Sequence, residues 1–164
     1  MSGIVGTEGS KSGIIGQAPT GRFSEWHMTS AVSSTGVLGN GNINNSVQHG
    51  LNVTVSSGVF TLPENGVYKI EFSGNTIYNG NTRYPYVYTH LDFGANGTYV
   101  VKAYAMFQMA DMGDNSYNNI HSSISLNCSA GDLVKFVYAG SAVSFQGHVT
   151  ENLTYFRFTK IKAV

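Results

Sequence analysis

Beyond the turn dipeptide Asn65-Gly66 the side chains alternate: Tyr68, Ile70 and Phe72 are apolar, while Lys69 and Glu71 between them are charged. Only an extended backbone sends successive side chains to opposite faces, so the segment reads as an antiparallel strand with one face buried and one wet. An Asn-Gly pair suits the tight turn that precedes such a strand, and Val59-Phe60-Thr61-Leu62 before it carries the same strand chemistry. The pattern returns along the chain. Ile124, Leu126 and Cys128 share a face, the turn Ser129-Ala130-Gly131-Asp132 follows, and Val134, Phe136 and Tyr138 share a face beyond it, so the two runs read as a hairpin. A run from Tyr84 to Phe93 leads through Gly94-Ala95-Asn96-Gly97 into a second run from Thr98 to Phe107. In the last run Tyr155 and Ile161 oppose Phe156 and Phe158, which predicts a strand covered on both sides.

No segment has a helical period, and Gly, Asn, Ser, Thr, Val and Tyr dominate, residues that suit strands and turns. The expected fold is all-β, an antiparallel sandwich or barrel. A chain of 164 residues fits one domain. Charged residues are sparse at 11%, and nine basic side chains cancel nine acidic ones, so nucleic acid is not an expected partner. Cys128 is the only cysteine, which excludes an intrachain disulfide and leaves stability to packing or oligomerisation. The first residues lack a basic stretch followed by an apolar run, and no long apolar run follows, so neither signal-peptide secretion nor membrane insertion is expected.

Phe60, Pro63, Gly66, Tyr68 and Phe72, followed by Gly131-Asp132 and an aromatic final strand, resemble the complement-one-q and tumour necrosis factor jelly-roll superfamily across residues 22 to 162. The resemblance implies a jelly-roll β-sandwich of ten strands that assembles as a homotrimer. It also implies a bottom end that holds the N terminus and a top of loops that meets partners. The last strand departs from the family, because Tyr155-Phe156-Arg157-Phe158 lacks the glycine of the usual Phe-Ser-Gly-Phe ending. The collagen-like stalk of animal members is absent too, so an animal complement protein is not expected.

Residues 1 to 21 form a Gly/Ser-rich leader, distinct from the jelly-roll domain at 22 to 164, in which Ser2-Gly3-Ile4-Val5-Gly6 returns as Ser12-Gly13-Ile14-Ile15-Gly16. Fixing a backbone costs about 1–2 kcal/mol per residue, so such a leader becomes ordered only against another surface. Ile4, Val5, Ile14 and Ile15 are the natural anchors of an attachment arm, and its glycines allow close approach to a partner's backbone. The stretch Gly9-Ser10-Lys11-Ser12-Gly13-Ile14-Ile15-Gly16 is similar to openings of structural proteins of tailed bacteriophages.

Catalysis needs a nucleophile, a base and an orienting group together, or a metal with several ligands. His27, His49, His90, His121 and His148 are scattered singly, and Cys128 reads as a small core residue, so no catalytic site and no cofactor is expected. Asp111 and Asp114, with Asn115, Asn118 and Asn119, form an oxygen-rich stretch that could hold calcium, although an Asx-rich turn that caps its own backbone is the preferred account. Tyr84, Tyr86 and Tyr88 share a strand face, where stacked rings serve a subunit contact, the core or a ligand surface for sugars. The expectation is a non-enzymatic virion surface protein, a trimeric capsid decoration protein anchored to capsid proteins through its arm. The alternative is a receptor-binding knob of a tail or head fibre that recognises a host glycan.

Overall fold

The computed structural model describes residues 21–78, 85–107, 116–140 and 143–163. Strands fill it, and no helix occurs among the described residues. They are β1 (Arg22–Met28), β2 (Gly36–Val37), β3 (Ile43–His49), β4 (Thr54–Ser56), β5 (Val59–Thr61) and β6 (Gly66–Tyr78). After them come β7 (Tyr86–Asp92), β8 (Val100–Met106), β9 (Ser116–Cys128), β10 (Leu133–Ala139), β11 (Val143–Phe145) and β12 (Thr154–Lys162). Two six-stranded sheets result, and every pairing between strands is antiparallel. The first sheet runs β9-β6-β12-β1-β3 and the second runs β4-β5-β10-β7-β8.

Twelve strands exceed the ten that the resemblance implies. Two short strands complete edges their neighbours leave free: β11 pairs with β6 beyond the reach of β12, and β2 pairs with β10 beyond the reach of β5. The alternation in β6 is as the sequence predicts, with Tyr68, Ile70 and Phe72 buried. The last strand, β12, lies between β6 and β1, and its Thr154, Phe156 and Phe158 face the core.

One expectation is overturned. The runs ending at Cys128 and starting at Leu133 are not a hairpin, because β9 pairs with β6 in the first sheet whereas β10 pairs with β5, β7 and β2 in the second. The turn between them crosses the sandwich. Asp132, 1% exposed, holds that crossing in place by accepting from the backbone N–H of Ser129 at 2.7 Å and of Gly94 at 2.8 Å.

The two inner faces meet through phenylalanine rings. Phe60 and Phe136 come from the second sheet, Phe72, Phe156 and Phe158 from the first, with centroids 4.9 Å apart for Phe60–Phe158 and for Phe136–Phe156. Such pairs add about 0.5–1.5 kcal/mol each beyond the area they bury. Gly74 in β6 makes room for this layer, since a Cβ there would sit 2.7 Å from the ring of Phe145. Tyr68 is buried with its hydroxyl donating to the Glu64 carbonyl at 2.8 Å, and burial pushes its phenol up to about 12.

The two ends of the sandwich differ. At one end β1 begins at Arg22, whose guanidinium pairs with Glu64 at 2.6 Å, and Asn65 accepts from the Ala130 N–H at 2.8 Å. The opposite end gathers Tyr78 and Ser116, Tyr86 and Met106, and Ala139, where β6, β8 and β10 finish and β7 and β9 start.

Candidate functional site

The outward face of the second sheet is built by three strands. In β7 the residues Val87, Thr89 and Leu91 point into the core, so Tyr86, Tyr88 and His90 point out. Register then sets the neighbours: Met106 of β8 lies opposite Tyr86 and Tyr104 opposite Tyr88, while β10 places Val137 beside Tyr88 and Lys135 beside His90. The rings of Tyr86 and Tyr88 stack at 6.2 Å with only 12° between their planes. Tyr104 tilts against Tyr88 at 6.4 Å, and His90 meets Tyr88 edge-on at 6.1 Å. An aromatic cluster results, parallel at Tyr86 and Tyr88 and inclined at Tyr104 and His90.

The charge on this face is positive. Lys135 Nζ sits 3.5 Å above the ring of Tyr99, and Lys102 Nζ lies 4.9 Å from the ring centre of Phe93. Burial, reinforced by the charge of Lys135, holds the His90 imidazole below its ordinary value, so it is neutral at neutral pH. The carboxylates of β7 and of the β9–β10 turn do not reach the face, because Asp92 and Asp132 are buried at 0% and 1% exposure. Both are engaged by backbone: Asp92 accepts from Asn96 N at 3.1 Å and from Gly97 N at 2.8 Å, and Asp132 is bonded as described above.

Of the ligand-surface residues expected from the sequence, Tyr86 and Tyr88 are brought together; Tyr84, Asp111 and Asp114 lie outside the described residues. The arm anchors Ile4, Val5, Ile14 and Ile15 lie outside them as well. Asn118 and Asn119 belong to β9, where Thr76 donates to the Asn118 carbonyl at 2.9 Å. The histidines do not converge: His49 stacks on Phe23, His148 contacts Thr150, and His121 is exposed on β9. Among the described residues no three His, Cys, Asp or Glu side chains gather as metal ligands would. Cys128 is a core residue at 6% exposure, and burial, helped by the charge of Asp132, pushes its thiol up to about 12. It lines a shallow hollow of 460 Å³ with Asn65, Phe93 and Ser129.

Sequence reasoning missed His90 and Lys135 as neighbours of the tyrosines. His90 continues the two-residue spacing of Tyr86 and Tyr88, a signal present in the sequence. A second polar assembly was missed on the outward face of the first sheet. There Glu25, 5% exposed, accepts from Arg157 Nε at 2.6 Å and from Asn152 Nδ2 at 2.7 Å, and Ser46 joins Asn152 to the His27 ring.

No protein-family model matches the sequence, and no curated protein aligns with it. Solved structures do share the architecture. The structure of Eiger TNF from S. frugiperda superposes with a TM-score of 0.68 at 11% identity, covering 88% of this chain and 94% of that one. Murine APRIL at pH 5.0 gives a TM-score of 0.60 at 13% identity, covering 86% and 99% of the two chains, and murine APRIL at pH 8.5 gives 0.61 at 10%. With its paired antiparallel sheets and Phe-rich interior, the chain has the tumour necrosis factor-like jelly-roll fold.

Proposed function

We propose that the chain is a non-enzymatic binding module that works as a homotrimer on a virion surface, decorating the capsid of a tailed bacteriophage. The observation that carries the assembly is an asymmetry between the two flanks of the sandwich. On one flank the edge strands β3 and β4 expose Asn44, Asn45, Gln48 and Thr54, with Val47, 45% exposed, as the one large apolar side chain among them. On the other, β8 adjoins β9 and exposes Val100, Val101 and Met106, with Tyr117 of β9 67% exposed beside them. An unpaired apolar edge invites pairing with another chain, and covering it with a different surface of a second copy closes into a trimer when each contact turns the chain by one third of a circle.

The virion assignment rests on the leader. Arg22 enters at the end of the sandwich opposite Tyr86, so an arm at residues 1 to 21 attaches one end and leaves the other displayed. Three arms per trimer make attachment effectively permanent through multivalency. Electron microscopy of intact particles locates the protein, and deletion of residues 1 to 21 tests the arm. The expected result is a folded trimer that no longer joins particles, and continued incorporation removes the arm from the account.

A second reading, a receptor-binding knob that recognises a host glycan, is favoured by the stacked Tyr86 and Tyr88 on the displayed side. Tyrosine buries area with its ring while its hydroxyl stays hydrogen-bonded, which suits a sugar. A glycan array on the purified protein separates the two readings, since a pure decoration protein binds none.

A further inference from the structure

We infer that the outer face of the second sheet binds a carboxylate-bearing saccharide, with a sugar ring stacked on Tyr86 and Tyr88 and the carboxylate held by Lys135. This deepens the glycan reading and rests on that face staying open in the assembly. The first support is geometric. Two phenol rings 12° from parallel with centroids 6.2 Å apart stand next to each other on the outward side of β7, and an exposed phenol face attracts the polarised C–H groups of a pyranose. Tyr88 belongs to β7, one strand in from the apolar edge at β8, so a subunit covering that edge does not have to cover Tyr88.

The second support is charge complementarity. Among the described residues the ionisable groups of this face besides the phenols are Lys135, Lys102 and a neutral His90, and the nearby acids Asp92 and Asp132 are buried and bonded to backbone N–H groups. An anion therefore meets cations without a carboxylate to repel it. Lys135 is the cation nearest in register, since it is the partner of His90 and His90 touches Tyr88. Two residues along a strand span about 7 Å, roughly the width of one sugar ring. Its ammonium rests on Tyr99 on one side and keeps donors for a ligand on the other. A neutral sugar gains only the stacking; an acidic sugar gains both contacts.

Isothermal titration calorimetry of the full-length protein with an oligogalacturonate and with its methyl ester tests this directly. The acid should bind about tenfold more tightly than the ester, the value of one charge-assisted hydrogen bond, and Lys135→Gln should remove that difference. Tyr88→Ala should abolish binding of both, and Tyr88→Phe should keep most of it. Equal binding of acid and ester, or an unaltered preference in Lys135→Gln, overturns the acidic ligand but leaves a sugar platform standing. Binding of neither oligosaccharide, or full binding by Tyr88→Ala, overturns the platform itself. Loss of oligomer in Tyr88→Ala at normal stability would show that a second copy covers the face, which also overturns the inference. Lys135→Gln alters an outward-facing, half-buried side chain and leaves the core untouched, so it decides the charge question even where Tyr88→Ala fails to fold.

Discussion

Asp132 in the turn after β9 accepts a hydrogen bond from the backbone N–H of Gly94 in the turn after β7, 2.8 Å away and 38 residues earlier in the chain. Its second oxygen takes the N–H of Ser129. One buried carboxylate thus locks two turns at the same end of the sandwich, including the one that carries the chain from the first sheet to the second. Asp132→Ala leaves both N–H groups without their partner, at about 1–3 kcal/mol for each one that water does not reach. Urea denaturation should show a loss of about 3 kcal/mol with little change in m-value.

Gly74 faces the core from the middle of β6, where an added Cβ would lie 2.7 Å from Phe145 and 2.8 Å from Phe72. Neither ring has free space to retreat into, because both pack against further aromatics. Gly74→Ala should destabilise the domain by about 1–3 kcal/mol through overpacking, despite the better strand propensity of alanine. Thermal unfolding followed by circular dichroism measures it.

How far the sequence could be read is visible in particular residues. The faces of β6 and β10 followed from two-residue spacing, because a half-buried strand writes its orientation into its own composition, whereas β12, expected to be covered on both sides, leaves Ile161 51% exposed. The crossing after Cys128 did not follow. Ser129-Ala130-Gly131-Asp132 has the same turn chemistry whether the next strand returns to its own sheet or joins the other, and the choice is made by Asp132 bonding to Gly94, a contact between distant residues. The candidate site divides the same way. Tyr86 and Tyr88 were legible as one face, whereas Tyr104 joins them only through the β7–β8 register, which shifts at a bulge between Thr89 and His90. The Glu25–Arg157 pair spans 132 positions and lies beyond any local pattern.

Glu64 makes the acid limb of stability predictable. Hydrogen bonds from Lys160 first and Arg22 second hold its carboxyl below its ordinary 4.5, with Nζ of Lys160 2.9 Å away. A carboxyl whose folded value is depressed stabilises the fold above its unfolded value and loses that contribution as pH falls through the folded one. Stability should therefore decline below about pH 4.5, and the decline should be shallower in Glu64→Gln than in the parent when denaturation midpoints are compared across pH.

Cys128 should be unreactive in the folded chain. With its thiol pushed up to about 12 and 6% of the residue exposed, almost no thiolate forms at pH 8, and thiolate is the nucleophile. Alkylation by iodoacetamide, followed by mass spectrometry, should be complete in urea and negligible without it. Rapid labelling of the folded protein would contradict the burial described for β9.

The central claim is that the apolar flank at β8 and β9 is covered by further copies of the same chain. Sedimentation equilibrium of the full-length protein tests it most directly. The account predicts a single species of three times the 17.6 kDa chain mass, which Met106→Lys together with Tyr117→Lys converts to a folded monomer. A parent protein that sediments as a monomer across the concentration range, with that flank in water, would contradict it.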